Sequence, residues 1–129
     1  MLLIIEDNLE AVHLYQIALQ LVQIEPVVET SGLAALRRIR NVGTPKPDAD
    51  ILDMNLKKED GVEVHGEDLF NAMRQAWPDT KIIVVSADLG WCQRFVGLAD
   101  AVMEKPITNM QVFLDTILGF LGTGQKITV

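Results

Sequence analysis

The sequence predicts an α/β domain on a doubly wound parallel sheet, three layers thick with right-handed crossovers. Two observations carry this expectation. Short apolar runs alternate strictly with segments of helical period, the pattern of consecutive βα units. The chain also has 129 residues, 49% of them hydrophobic, which suits one domain able to form a core without disulfide staples.

Leu2–Ile5 reads as a buried first strand. Asp7 or Asn8 can cap a helix running to about Val22, with Val12, Tyr15, Leu19 and Val22 on one stripe. Pro26 ends it, and Val27–Glu29 follows as a short second strand. Ser31 caps the next helix, whose buried face is marked by Leu33, Leu36 and Ile39. Gly43, Pro45 and Pro47 make 41–47 a loop. Ala49–Met54, Ile82–Ser86 and Ala101–Met103 are the third to fifth strands. A helix over about Glu67–Ala76, stopped by Pro78, separates the third and fourth. Thr108 or Asn109 starts the last helix, with Val112, Ile117, Leu118 and Leu121 apolar, and 122–129 is a frayed tail.

Composition excludes several classes of function. Lys and Arg number 11 against 18 Asp and Glu, a net charge of −7, so no basic patch offers itself to nucleic-acid phosphates. The longest run free of charge, Ala11–Ile24, carries His13, Gln16, Gln20 and Gln23 and is too short and polar to cross a bilayer. The start, Met1 to Asp7, reaches carboxylates within six residues and lacks a basic leader. Met1 directly before the first strand suggests a natural start. The single cysteine, Cys92, cannot form an internal disulfide. A cytoplasmic protein is expected, with no membrane and no nucleic-acid partner.

In an open parallel sheet, ligands bind beyond the carboxyl ends of the strands. There the first strand ends in Glu6-Asp7, the third in Asp53 and the fourth in Ser86, while Lys105 follows the fifth. Three carboxylates on one edge need a cation between them, and hard oxygen donors point to Mg²⁺. With a lysine and a hydroxyl added, the set is that of a phosphoryl-transfer site.

Four segments then carry a family resemblance: LLIIEDN at 2–8, PDADILDMNL at 47–56, KIIVVSAD at 81–88 and MEKPI at 103–107. Together, in this order, they resemble the response-regulator receiver domain of two-component signalling, over residues 1–121. The resemblance implies a flavodoxin-like (βα)₅ sheet of order 2-1-3-4-5. It also implies Asp53 as phosphoacceptor, with Asp7 a direct Mg²⁺ ligand and Glu6 acting partly through water. The backbone carbonyl of Asn55 would be a further ligand. Lys105 would grip the phosphoryl group, aimed by a cis bond to Pro106, and Ser86 would close onto a phosphoryl oxygen. A histidine kinase or histidine phosphotransfer protein would donate the phosphoryl group, and the signal would leave through contacts with an unknown downstream protein. Self-phosphorylation and self-dephosphorylation at Asp53 would be the only chemistry.

The sequence departs from that family in places. Lys57 stands where a proline is usual, and the loop after Asp53 is long, so that the family's loop glycine aligns with Gly61 or Gly66. The connection from Ser86 to Lys105 is short, implying a stunted fourth helix. Val102 replaces the aromatic residue that usually reports the phosphorylated state. The output is therefore expected to run through local loops, with dimerisation on the usual face weak or absent. The alternative is a degenerate receiver acting only as an interaction module. An aspartate-based phosphatase is disfavoured, because its second aspartate would stand at Asn55.

Other polar residues receive simpler readings. Asp50 is expected to be exposed at the amino end of its strand. His13 and His65 are surface residues, Cys92 packs beside Trp91, and 57–60 form a solvated loop.

Overall fold

The computed structural model describes residues 1–57 and 61–122. Its elements run β1 (Leu2–Ile5), α1 (Leu9–Gln20), β2 (Val27–Glu29), α2 (Gly32–Arg40), β3 (Ala49–Asp53), α3 (Gly66–Ala76), β4 (Lys81–Ser86), α4 (Leu89–Phe95), β5 (Ala101–Glu104) and α5 (Met110–Leu121). All strand pairs are parallel, in the order β2-β1-β3-β4-β5. This is the predicted sheet.

The inner strands β1, β3 and β4 are buried on both faces apart from Lys81, as a parallel sheet covered by helices requires, while the edge strands β2 and β5 are largely half-buried. Alternation along each strand divides the core in two. Leu2, Ile4, Ile51, Ile83 and Val85 pack with Tyr15 and Leu19 of α1 and Phe113 and Ile117 of α5. Leu3, Ile5, Leu52, Ile82 and Val84 pack with Ile39 of α2, Leu69 and Met73 of α3 and Phe95 of α4.

Side-chain caps set four helix starts. Asn8 accepts from Ala11 N–H at 3.1 Å, Ser31 from Ala34 N–H at 3.1 Å, Asp88 from Gly90 N–H at 2.8 Å and Asn109 from Val112 N–H at 3.1 Å. Asn8 and Asn109 thus decide between the alternative starts. The predicted stripe of α1 is buried throughout, although the helix itself closes at Gln20 before Gln23 turns with φ 59°. In α5 the buried face is Phe113, Leu114, Ile117 and Leu118, while Val112 is exposed. Helix α4 has only 7 residues, in line with the short connection. Gly122 ends α5 in the left-handed region, and the rest of the expected tail, 123–129, lies outside the described residues, as do positions 58–60 of the expected solvated loop.

Asp50 overturns its reading. It lies inside β3, paired in register with Leu3 of β1 and Ile82 of β4, and is completely buried. β3 is the central strand, so its amino-terminal half is covered as fully as the rest. Neither carboxyl oxygen has a hydrogen-bond partner among the described residues, and burial pushes the pKa well above the usual carboxylate range.

The start of β5, and with it the approach to Lys105, is fixed by Arg74 of α3. Its guanidinium donates to Thr80 O at 3.1 Å, to Leu98 O at 2.9 Å and to Asp100 Oδ2 at 3.0 Å. Asp100 Oδ2 also accepts from Ile82 N–H at 2.8 Å. Among the described residues, no helix is long and apolar enough to cross a membrane.

Candidate functional site

All the strand-end residues singled out in the sequence meet at the carboxyl edge of the sheet. β1 delivers Glu6 and Asp7, β3 ends in Asp53, β4 ends in Ser86, and Lys105 follows β5. Glu6, Asp53 and Ser86 are buried, because each continues an apolar strand, whereas Asp7 at the top of α1 is half-buried. Each of the three acids brings a carboxylate oxygen to within 4.8 Å of the others.

Lys105 supplies the opposing charge. Its Nζ pairs with Glu6 Oε1 and lies 3.4 Å from Asp53 Oδ1. The Lys105–Pro106 peptide is cis, as the resemblance implied. Burial, and next the neighbouring Asp53 carboxyl, push the Glu6 pKa up to about 7 against the pull of Lys105. Among the described residues Lys105 is the one cation paired with these acids, and a single ammonium does not balance three carboxylates. The donor set is all oxygen, with no histidine or cysteine in it, and this fits Mg²⁺ in preference to a softer metal.

Four hydrogen bonds at this edge were not foreseen from sequence. The Asn55 backbone N–H donates to Asp53 Oδ1 at 3.1 Å, while its side-chain Nδ2 donates to Ser86 Oγ at 3.2 Å. Ser86 Oγ also accepts from Asp88 N–H at 3.0 Å. Farther along the same segment, Lys57 N–H donates to Asp7 Oδ2 at 2.7 Å. An amide two residues past an acid and a backbone donor four residues past it carry no distinctive sequence signal.

Gly66 is the glycine on which the site depends. A Cβ there would lie 2.7 Å from Met54 Cα and 3.1 Å from Asp53 O, so its absence lets α3 press on the backbone that carries Asp53. Gly61 has φ 74° and open space around it. Cys92 of α4 is buried under the same edge, with Sγ 3.5 Å from Ser86 O and 4.0 Å from Met103 O. Val102 is half-buried against the α3 side of the core. His13 and His65 are exposed, as expected.

No family model matches the chain, and no curated protein matches it. Solved structures do. A CheY-like response regulator receiver domain protein from Methanospirillum hungatei superposes with TM-score 0.74 at 22% identity, over 95% of this chain and 93% of that one. The response regulator TrrA from Thermotoga maritima, solved in complex with Mg²⁺ and BeF, gives 0.75 at 20% identity, over 92% and 96%. The receiver domain of NtrX from Brucella abortus gives 0.76 at 19% identity, over 96% and 100%. The chain has the fold of receiver domains.

Proposed function

We propose that this domain is a phosphoacceptor switch of a two-component or phosphorelay system, with Asp53 as the acceptor. The observation that carries this reading is the assembly of Glu6, Asp7, Asp53, Ser86 and Lys105 on one edge, with Lys105 Nζ 3.4 Å from Asp53 Oδ1. A merely structural acid at a strand end would need one partner; Asp53 sits among two acids, a lysine and a hydroxyl, which also speaks against an interaction-only module.

In this reading an Asp53 oxygen attacks the phosphorus of a partner's phosphohistidine. The O–P bond forms, the N–P bond breaks, and the imidazole leaves. Asn55 N–H, on Asp53 Oδ1, orients the carboxylate for the attack. Lys105 Nζ, already within reach of Asp53, takes up a phosphoryl oxygen by a charge-assisted bond, and the Ser86 hydroxyl donates to another. Water later attacks phosphorus, returning the Asp53 carboxylate and inorganic phosphate. Glu6 and Asp7, with Asp53 and the Asn55 carbonyl, would hold Mg²⁺, which neutralises the acids and the incoming phosphoryl charge.

The partner surface we infer lies beside this edge. Leu14 and Ile17 of α1, with Leu21 at its C-cap, are exposed apolar residues leading away from the edge, and a groove of about 400 Å³ between α1 and the start of α5 is lined by Leu14, Lys105, Pro106 and Met110. A helical histidine kinase or phosphotransfer protein suits such a surface.

Intact mass after incubation with acetyl phosphate or phosphoramidate tests the proposal. One phosphate should be gained with Mg²⁺ and none in EDTA. A gain that survives Asp53→Ala, or that appears equally in EDTA, overturns it.

A further inference from the structure

We propose that the backbone N–H of Lys57 is a positioning group for the metal site, holding Asp7 in the orientation that meets Glu6 and Asp53. The inference rests on reading those three acids as a Mg²⁺ site. Its geometric basis is one hydrogen bond, 2.7 Å from Lys57 N to Asp7 Oδ2, that ties the end of β1 to the segment leaving β3.

The bond has the length of a charge-assisted hydrogen bond, the stronger class. Asp7 needs it more than its neighbours do. Glu6 and Asp53 are buried and paired with Lys105, whereas Asp7 is half-buried at the surface end of the cluster. A carboxylate offers about four lone-pair positions on two oxygens, so an N–H on Oδ2 leaves room for a cation while fixing the side chain's rotation. Outer partners of this kind typically change metal affinity by about 10–100-fold. The contact depends on the residue type at 57 only in that it has an N–H, which proline alone lacks. The lysine side chain itself is exposed and takes no part.

Linkage sets the sign. If the Lys57 bond favours the cation, the cation must favour the Lys57 bond by the same factor. Metal occupancy would thereby order the start of the segment that follows Asp53 without any direct contact between the metal and Lys57.

The test is a calorimetric Mg²⁺ titration without any phosphoryl donor, on the unaltered chain, Lys57→Pro and Lys57→Ala. Lys57→Pro should weaken Mg²⁺ binding about 10-fold or more, and Lys57→Ala, which keeps the N–H, should not. Hydrogen exchange at the Lys57 amide of the unaltered chain should slow on adding Mg²⁺, a readout that does not depend on how well Lys57→Pro folds. Equal or tighter binding by a folded Lys57→Pro chain overturns the inference, as does exchange at Lys57 that is unchanged or faster. If the unaltered chain binds no Mg²⁺, the metal reading falls and this one falls with it.

Discussion

The Asn55 side-chain amide holds the Ser86 hydroxyl oxygen at 3.2 Å, and Asp88 N–H holds the same oxygen at 3.0 Å. Both contacts use Ser86 as an acceptor, so its own proton remains available to donate. If the Ser86 side chain swings toward a group on Asp53 to make that donation, the Asn55 contact is what it gives up, at a cost of about 1 kcal/mol. Asn55→Ala should therefore tighten binding of Mg²⁺-beryllofluoride, a phosphoryl mimic, by up to about fivefold. Weaker binding would show that the amide contacts the phosphoryl group instead.

Asp50 should make stability fall as pH rises. Its pKa is raised in the folded chain and ordinary in the unfolded one, so the folded state binds its proton more tightly. That contribution is complete below about pH 4 and is lost as pH climbs toward the folded value, at up to about 1.4 kcal/mol per pH unit. Asp50→Val, which places an apolar side chain of similar volume and good strand propensity there, should raise stability at pH 7 by about 1–3 kcal/mol. The gain should shrink toward pH 4. Urea melts across that range check both statements, and a gain independent of pH would refute the assignment.

Two glycines should respond in opposite ways to alanine. Gly66→Ala drives a methyl into the Met54 backbone, with Met54 Cα at 2.7 Å, and should cost about 1–3 kcal/mol. Gly119→Ala on α5 meets nothing within 4 Å and should add about 0.5–1 kcal/mol. Thermal melts of the two variants decide this, and only the first should also disturb NMR signals around Asp53.

Beryllofluoride should shift amides at 55–57, 61–66 and 86–90 while the chain stays monomeric. The half-buried Val102 has a stiff branched side chain and no ring to swing, and α4 offers only 7 residues to rearrange. Shifts concentrated at Val102 and 112–121, accompanied by dimerisation, would contradict this.

The sheet was legible because burial on both faces leaves strands such as Leu2–Ile5 almost purely apolar, and polar residues at their ends stand out against them. Glu6, Asp53 and Ser86 could be picked out for that reason, before any geometry. Asp50 defeated the same logic: a charge inside an apolar run normally marks an exposed end, and only the three-dimensional position of β3 shows that it is covered. Asn55 and Lys57 were singled out in the sequence, one for its carbonyl and the other for the proline it replaces, but their hydrogen bonds were hidden. A neutral amide and a backbone N–H leave no trace in hydropathy or charge. Helix starts were readable to within a residue or two where Asn, Ser or Asp caps them, as at Asn8, Ser31 and Asn109. The inward face of α5 was not, since Val112 and Phe113 are both apolar and only packing shows which one turns inward.

Cys92 gives the molecule a built-in clock. It is the single cysteine in the chain, its thiol lies under α4 beside the Ser86 carbonyl, and burial pushes its pKa up. With α4 packed down, Cys92 keeps only 7% of its surface exposed, so we expect alkylation to quicken whenever that helix lifts away. Occupants of the carboxylate edge that tighten the segment between Ser86 and α4 would slow the clock, and those that loosen it would run it faster, with no engineered cysteine needed.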